Sequence, residues 1–103
     1  MKKLTDFEFR VLNVLKRVPA GRVTTYGALA AAVGRPGAGR AVGNALNKNP
    51  DAPITPCHRV VYSDGRLGGY ARGAKKKTEI LKREGVIIKN GRVADFRKII
   101  FKF

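Results

Sequence analysis

Apolar residues recur at Phe7, Val11, Leu15 and Val18, the period of a helix with one buried face. Thr5-Asp6-Phe7-Glu8 opens that run as a capping box, with Leu4 and Phe9 spaced for a hydrophobic staple, and Pro19-Ala20-Gly21 ends it. A second helix is predicted from Thr24-Thr25-Tyr26 through an alanine-rich stretch to Gly34, where Arg35-Pro36-Gly37 makes a tight turn. A third runs from about Ala38 to Asn47, carrying Arg40, Val42, Ala45 and Leu46. Residues 47–53 are a loop by composition. Val60-Val61-Tyr62 reads as a short buried strand, followed by a glycine-punctuated loop or hairpin over 63–70. A fourth helix spans about Ala74 to Arg83, with Ile80 and Leu81 inward, Lys75, Lys76 and Lys77 solvated, and Glu84-Gly85 closing it. Asn90-Gly91 between Val86-Ile87-Ile88-Lys89 and Arg92-Val93-Ala94-Asp95-Phe96 is a strong hairpin signal. The alternation of Ile99, Phe101 and Phe103 predicts a final strand.

At 103 residues the chain is one domain with a modest core. Its 22 basic and 7 acidic side chains give a formal charge of +15. A surplus of that size repels itself, so a polyanionic partner is expected, with nucleic acid ahead of an anionic membrane surface. Two short helices joined by a glycine-containing turn match a helix-turn-helix. The third helix is slim, with Ala38, Gly39, Ala41, Gly43 and Ala45. Glycine costs about 1 kcal/mol in a helix interior, so close approach to another surface is implied. Either Arg40 is carried into a narrow groove, or the small residues pack against the second helix; both can hold on opposite faces.

One cysteine excludes an internal disulfide. No apolar run approaches the roughly 20 residues of a membrane span, and Met1-Lys2-Lys3-Leu4 lacks the apolar stretch of a signal peptide. A cytoplasmic, DNA-associated monomer without membrane contact is expected. The lone cysteine, Cys57, is followed by the lone histidine, His58, within Pro56-Cys57-His58-Arg59-Val60. A thiol is a useful nucleophile only as thiolate, and an adjacent base or positive field supplies that activation. A buried cysteine beside a surface histidine is the plainer alternative.

In order, Tyr26, Gly34-Arg35-Pro36, Arg40-Ala41-Val42-Gly43, Asn49-Pro50, Pro56-Cys57-His58-Arg59-Val60, Gly68-Gly69-Tyr70 and Glu84-Gly85 resemble the DNA-binding, active-site domain of O6-alkylguanine-DNA alkyltransferases. The resemblance runs from about Phe7 to Gly85. It implies a mainly helical α/β fold: a winged-helix-like helix-turn-helix domain with short strands, followed here by a C-terminal β-hairpin. It also implies a partner, double-stranded DNA containing O6-alkylguanine, entered from the minor groove. The third helix, through Ala38, Gly39, Ala41 and Gly43, would lie in that groove. Arg40 would replace the damaged nucleotide, which flips into a pocket above Cys57.

The same resemblance implies the chemistry. Cys57 would displace the alkyl group from O6, His58 would draw the thiol proton through a water, and Glu84 would orient His58. Tyr26 would hydrogen-bond the base, and Asn49 would brace the active-site turn. Tyr70 would line the pocket, the carbonyls of Cys57 and Val60 would face the exocyclic amine, and the Ala71 amide would face O6. The thioether product is not reversed, so each molecule acts once, without a cofactor. No metal is expected, since one Cys and one His cannot complete a structural zinc site.

Two departures stand out. The additional N-terminal domain usual in the family is expected to be absent, with the C-terminal hairpin covering surface in its place. Arg72 stands where relatives commonly have Gly, so O6-benzylguanine is expected to react less readily than O6-methylguanine in DNA. An Arg72→Gly chain that gains nothing towards the bulky base would contradict this. The rival readings are a non-catalytic alkyltransferase-like lesion binder, although those proteins lack the cysteine, and a basic architectural DNA-binding protein.

Overall fold

The computed structural model describes residues 4–50, 52, 54–70 and 72–103. Asp51 and Pro53 of the expected loop, and the first three residues, lie outside them. Helix α1 spans Asp6–Leu15 and opens with the expected capping box: Thr5 Oγ1 accepts from the Glu8 amide at 3.1 Å, and Glu8 Oε1 accepts from the Thr5 amide at 2.9 Å. The staple differs from expectation, because Phe9 is 58 % exposed, while Phe7 and Leu4 pack on the core. Phe9 lies two positions from Phe7, and so far around the helix that it faces away from the buried stripe.

Strand β1 (Thr24–Thr25) leads directly into α2 (Tyr26–Ala32), whose N-terminus is capped by Thr25 Oγ1 accepting from the Ala28 amide at 3.0 Å. Gly34, at φ +81°, lets the chain leave α2 in a left-handed conformation, and α3 follows at Gly39–Asn47. Helix α3 packs against both α1 and α2. Val42, Ala45 and Leu46 are buried with Val11, Leu12, Leu15, Leu29 and Val33 in the main core, which also takes in Cys57 and Val60. Two polar contacts secure this unit: Lys48 Nζ donates to Glu8 at 2.6 Å, and Arg10 donates to the Val33 carbonyl at 2.8 Å.

A single 3-10 turn, Cys57–Arg59, precedes strand β2 (Val60–Val61), which pairs in parallel with β1. Tyr62, expected within that buried strand, is 43 % exposed. Helix α4 covers Ala74–Arg83 as expected, with Leu81 buried and Ile80 half-buried. Strands β3 (Ile88–Lys89) and β4 (Arg92–Val93) form the antiparallel hairpin. Asn90 and Gly91 at its tip have φ of +53° and +73°, the left-handed pair of a type I′ turn. A second core of Val23, Val61, Leu67, Leu81, Val86 and Val93 lies beneath it.

The predicted final strand is replaced by a short helix, α5 (Phe96–Ile99), and one bridge between Ile100 and Val23. Phe96 and Ile99 both pack on the second core; helical spacing brings them to one face, which an extended chain would not do. No helix among the described residues is long and apolar enough to cross a membrane.

Candidate functional site

The tightest polar cluster forms where α4 ends against the 3-10 turn. Glu84, the C-cap of α4, accepts from Arg59 Nε at 3.0 Å, from Arg59 Nη2, and from His58 Nε2 at 3.1 Å. Arg59 Nη1 donates to the Val18 carbonyl at 2.8 Å, tying the cluster to the end of the first helical segment. Burial alone would raise the Glu84 pKa, but donation from Arg59 and His58 outweighs it and holds the carboxyl below its ordinary range. Burial dominates at His58 and lowers its pKa, against the opposing pull of Glu84.

Those two directions fix the proton arrangement. An ionised carboxylate only accepts, so the neutral His58 ring carries its hydrogen on Nε2 and leaves Nδ1 with a free lone pair. His58 is 1 % exposed, and Nδ1 has no protein partner among the described residues. A basic nitrogen is thereby left on the residue that follows Cys57 in the chain.

Cys57 is 5 % exposed and sits in a cleft of about 830 Å³. One wall is α3, through Gly39, Arg40 and Gly43; the others come from Tyr26, Tyr62 and Gly69-Tyr70. Asn49 Nδ2 and the Cys57 amide both donate to the Thr55 carbonyl, at 2.8 and 2.9 Å, so the cysteine is held by its backbone. Burial raises the Tyr26 pKa, with the neighbouring Tyr62 and Cys57 adding to it, and the phenol stays a donor at neutral pH. The Tyr70 hydroxyl is buried without a protein partner among the described residues, and its ring stands edge-on to His58 at 6.4 Å.

The cleft therefore gathers Tyr26, Gly39, Arg40, Gly43, Cys57 and Tyr70 from the residues singled out in the sequence. Ala38 packs partly on the core at the start of α3, and Ala41 is exposed outside the cleft lining. Arg72 is exposed and also outside the lining, although its charge reaches the Tyr70 hydroxyl. Val60 is fully buried, and its carbonyl accepts from Lys77. Ala71 lies outside the described residues.

Lys77 corrects the expectation of a solvated lysine run. It is 0 % exposed, and Nζ donates to the carbonyls of Val60 at 2.6 Å and Gly69 at 3.0 Å. Its ammonium thus joins the strand after Cys57 to the glycine loop on the opposite wall. Burial lowers its pKa to about 8, partly offset by the attraction of Cys57. Its spacing from Leu81, one helical turn on, places both on one face, and that phase was available in the sequence.

Tyr62 was also missed as a lining residue. It stacks obliquely on Tyr26 at 5.4 Å, with the Arg66 guanidinium 5.0 Å from its ring. Gly68 allows this approach: at φ +73°, an added Cβ would stand 3.1 Å from Tyr26 Oη and 3.2 Å from the Tyr62 ring.

Fold and cleft together define a helix-turn-helix domain whose cleft, walled by α3, holds a buried cysteine followed in the chain by a buried histidine paired with a half-buried glutamate. The chain belongs to the family described as 6-O-methylguanine DNA methyltransferase, DNA binding domain, which matches residues 6–86. A methylated-DNA–protein-cysteine methyltransferase of Methanosarcina acetivorans is 51 % identical over 81 residues, 79 % of this chain and 52 % of the relative. Its Salmonella typhimurium counterpart is 46 % identical over 84 residues, 82 % of this chain and 49 % of the relative. The chain thus spans about half the length of these relatives.

Among solved structures, Mycobacterium tuberculosis OGT in complex with DNA superposes with a TM-score of 0.78 at 44 % identity, over 81 % of this chain and 51 % of that one. S. pombe Atl1, in complex with damaged DNA containing O6-carboxymethylguanine, gives 0.85 at 28 % identity, over 99 % and 100 %.

Proposed function

We propose that this domain repairs O6-alkylguanine in double-stranded DNA by moving the alkyl group irreversibly to Cys57. The observation that carries the reading is the His58–Glu84 pair behind a nearly buried cysteine at the cleft. Nδ1 of His58 takes the thiol proton through a water, and the sulfur attacks the alkyl carbon. The carbon–O6 bond breaks, its electron pair stays on the base, and the Tyr26 hydroxyl donates to the leaving guanine. A sulfur–carbon bond replaces the carbon–oxygen bond, and no redox partner is needed.

DNA is the partner proposed on the relatives in complex with DNA, on the net charge of +15 and on the form of α3. In this reading Arg40 fills the vacated place in the base stack. An added Cβ at Gly43 would meet only Tyr26, at 4.0 Å, an ordinary contact. The protein's own packing therefore does not require that glycine, and close approach by an outside surface accounts for it. Gly43→Ala is expected to raise the melting temperature by about 4–8 °C, from about 1 kcal/mol of helix propensity. The same change is expected to weaken binding to a lesion-bearing duplex. Melting and a binding titration on one preparation check both directions.

The decisive experiment is the intact mass of the chain after incubation with a duplex carrying O6-methylguanine, beside Cys57→Ala. Gain of one methyl by the native chain alone, with guanine restored, is the expected outcome. A second reading, lesion binding without transfer, is favoured by the superposition on Atl1 over nearly the whole of both chains. Selective binding of the lesion with no mass gain would establish that reading instead.

A further inference from the structure

The cleft uses little of the chain's charge, since Arg40 is the one cation lining it among the described residues. A separate hollow brings together Arg22, Arg97, Lys98 and Lys102 around an apolar floor that includes Ile100 and Phe101. No residue of this hollow lines the cleft. Residue 22 and residues 97–102 are distant in the chain, and the backbone joins them: the Val23 amide donates to the Ile99 carbonyl at 3.1 Å, and the Phe101 amide to the Val23 carbonyl at 2.7 Å. All four cations are exposed, and none is in an ion pair among the described residues. Asp64 and Asp95 line the neighbouring hollow with Arg97 and Lys98, but Asp64 is paired with Arg66 at 2.8 Å. Among the described residues, the carboxylate left unpaired there is Asp95, which shares its hollow with two of the four cations, Arg97 and Lys98. Three of those cations lie beyond the residues that the family match covers.

We propose that this hollow is a second nucleic-acid contact, which takes the phosphate backbone of duplex DNA apart from the segment held at α3. Its groups suit phosphate rather than base edges: long cationic side chains on two segments joined by backbone hydrogen bonds, flanking a small apolar floor for the sugars. Cations bound to phosphate in this way release counterions and lengthen the bound segment without adding sequence preference. The inference holds whether or not Cys57 accepts an alkyl group.

The test is the salt dependence of binding to an undamaged duplex. Removing one cation that neutralises a phosphate flattens the slope of log K against log salt by about 0.9. Arg22→Gln, Arg97→Gln, Lys98→Gln and Lys102→Gln together are expected to flatten it by roughly 2 to 4. A control variant with Lys75, Lys76, Lys82 and Arg83 changed to Gln removes the same charge from the exposed side of α4. Flattening confined to the first variant supports the proposal; equal flattening in both, or none in the first, overturns it. The double variant Arg97→Gln, Lys98→Gln, with melting as a check on folding, is expected to give about half the effect and keeps the test valid if four changes disturb the fold. An unchanged duplex slope with lost binding to phosphatidylserine vesicles would overturn it in favour of a membrane surface.

Discussion

Glu84→Gln is expected to slow alkyl transfer by roughly 10²- to 10⁴-fold, the range that a positioned general base supplies. The carboxylate accepts from Arg59 and His58 at once, and an amide has one accepting oxygen and a donating NH₂. One of the donors facing it then loses its partner. His58 no longer has a reason to keep its hydrogen on Nε2, and a hydrogen on Nδ1 removes the base from the thiol. Single-turnover rates, with lesion affinity measured alongside, check this: the rate should fall while binding holds. An unchanged rate would remove the His58–Glu84 pair from the proton path.

The same pair sets the acid limb of activity. Burial lowers the His58 pKa in the folded chain, so the neutral, working ring persists as pH falls through the ordinary value of about 6.5. Transfer is expected to decline only at lower pH. The stability contribution follows the opposite state: the unfolded chain takes up that proton first, so stability is lost as pH falls below about 6.5.

Lys77 should give the chain a stability that rises with pH. Its folded pKa of about 8 lies below the ordinary value of 10.5, so the unfolded chain holds the proton more tightly. Between those values the unfolded state binds more protons, and stability climbs as pH rises. Relative to Lys77→Met, the native chain is expected to gain about 2 kcal/mol between pH 7 and 9.5, an order-of-magnitude figure from the two pKa values. About 8–16 °C in melting temperature corresponds to that difference in a domain of this size. Taking the difference from Lys77→Met removes the general relief of self-repulsion, which both chains share. Parallel pH dependences in the two chains would show that the ammonium is not desolvated.

The comparison of Lys77 with its neighbours shows what a lysine run conceals. Composition made Lys75, Lys76 and Lys77 look alike, and two of them are exposed. The third lies on the face of Leu81, above two carbonyls contributed by Val60 and the glycine loop. Those acceptors come from parts of the chain whose approach no local pattern encodes. Tyr62 was hidden for a related reason, because an aromatic after two valines suits a buried strand as well as a cleft wall.

What the sequence determined by itself is local. Helical period, the Thr5–Glu8 capping box and the Asn90-Gly91 turn act over a few residues, and the helices and hairpin formed near those signals, although Thr24–Thr25, read as the start of the second helix, form a strand that pairs with β2. The adjacency of Cys57 and His58 was likewise written in the chain, and so was the excess of positive charge. Tertiary structure alone decided that Arg59 and His58 share Glu84 across 25 and 26 residues. It also decided that Lys77 is buried, and that Ile100 bridges to Val23 in place of a final strand. Each of these outcomes depends on which surfaces the two cores bring together. Burial and long-range hydrogen bonds set that choice, and the spacing of neighbours along the chain leaves it open.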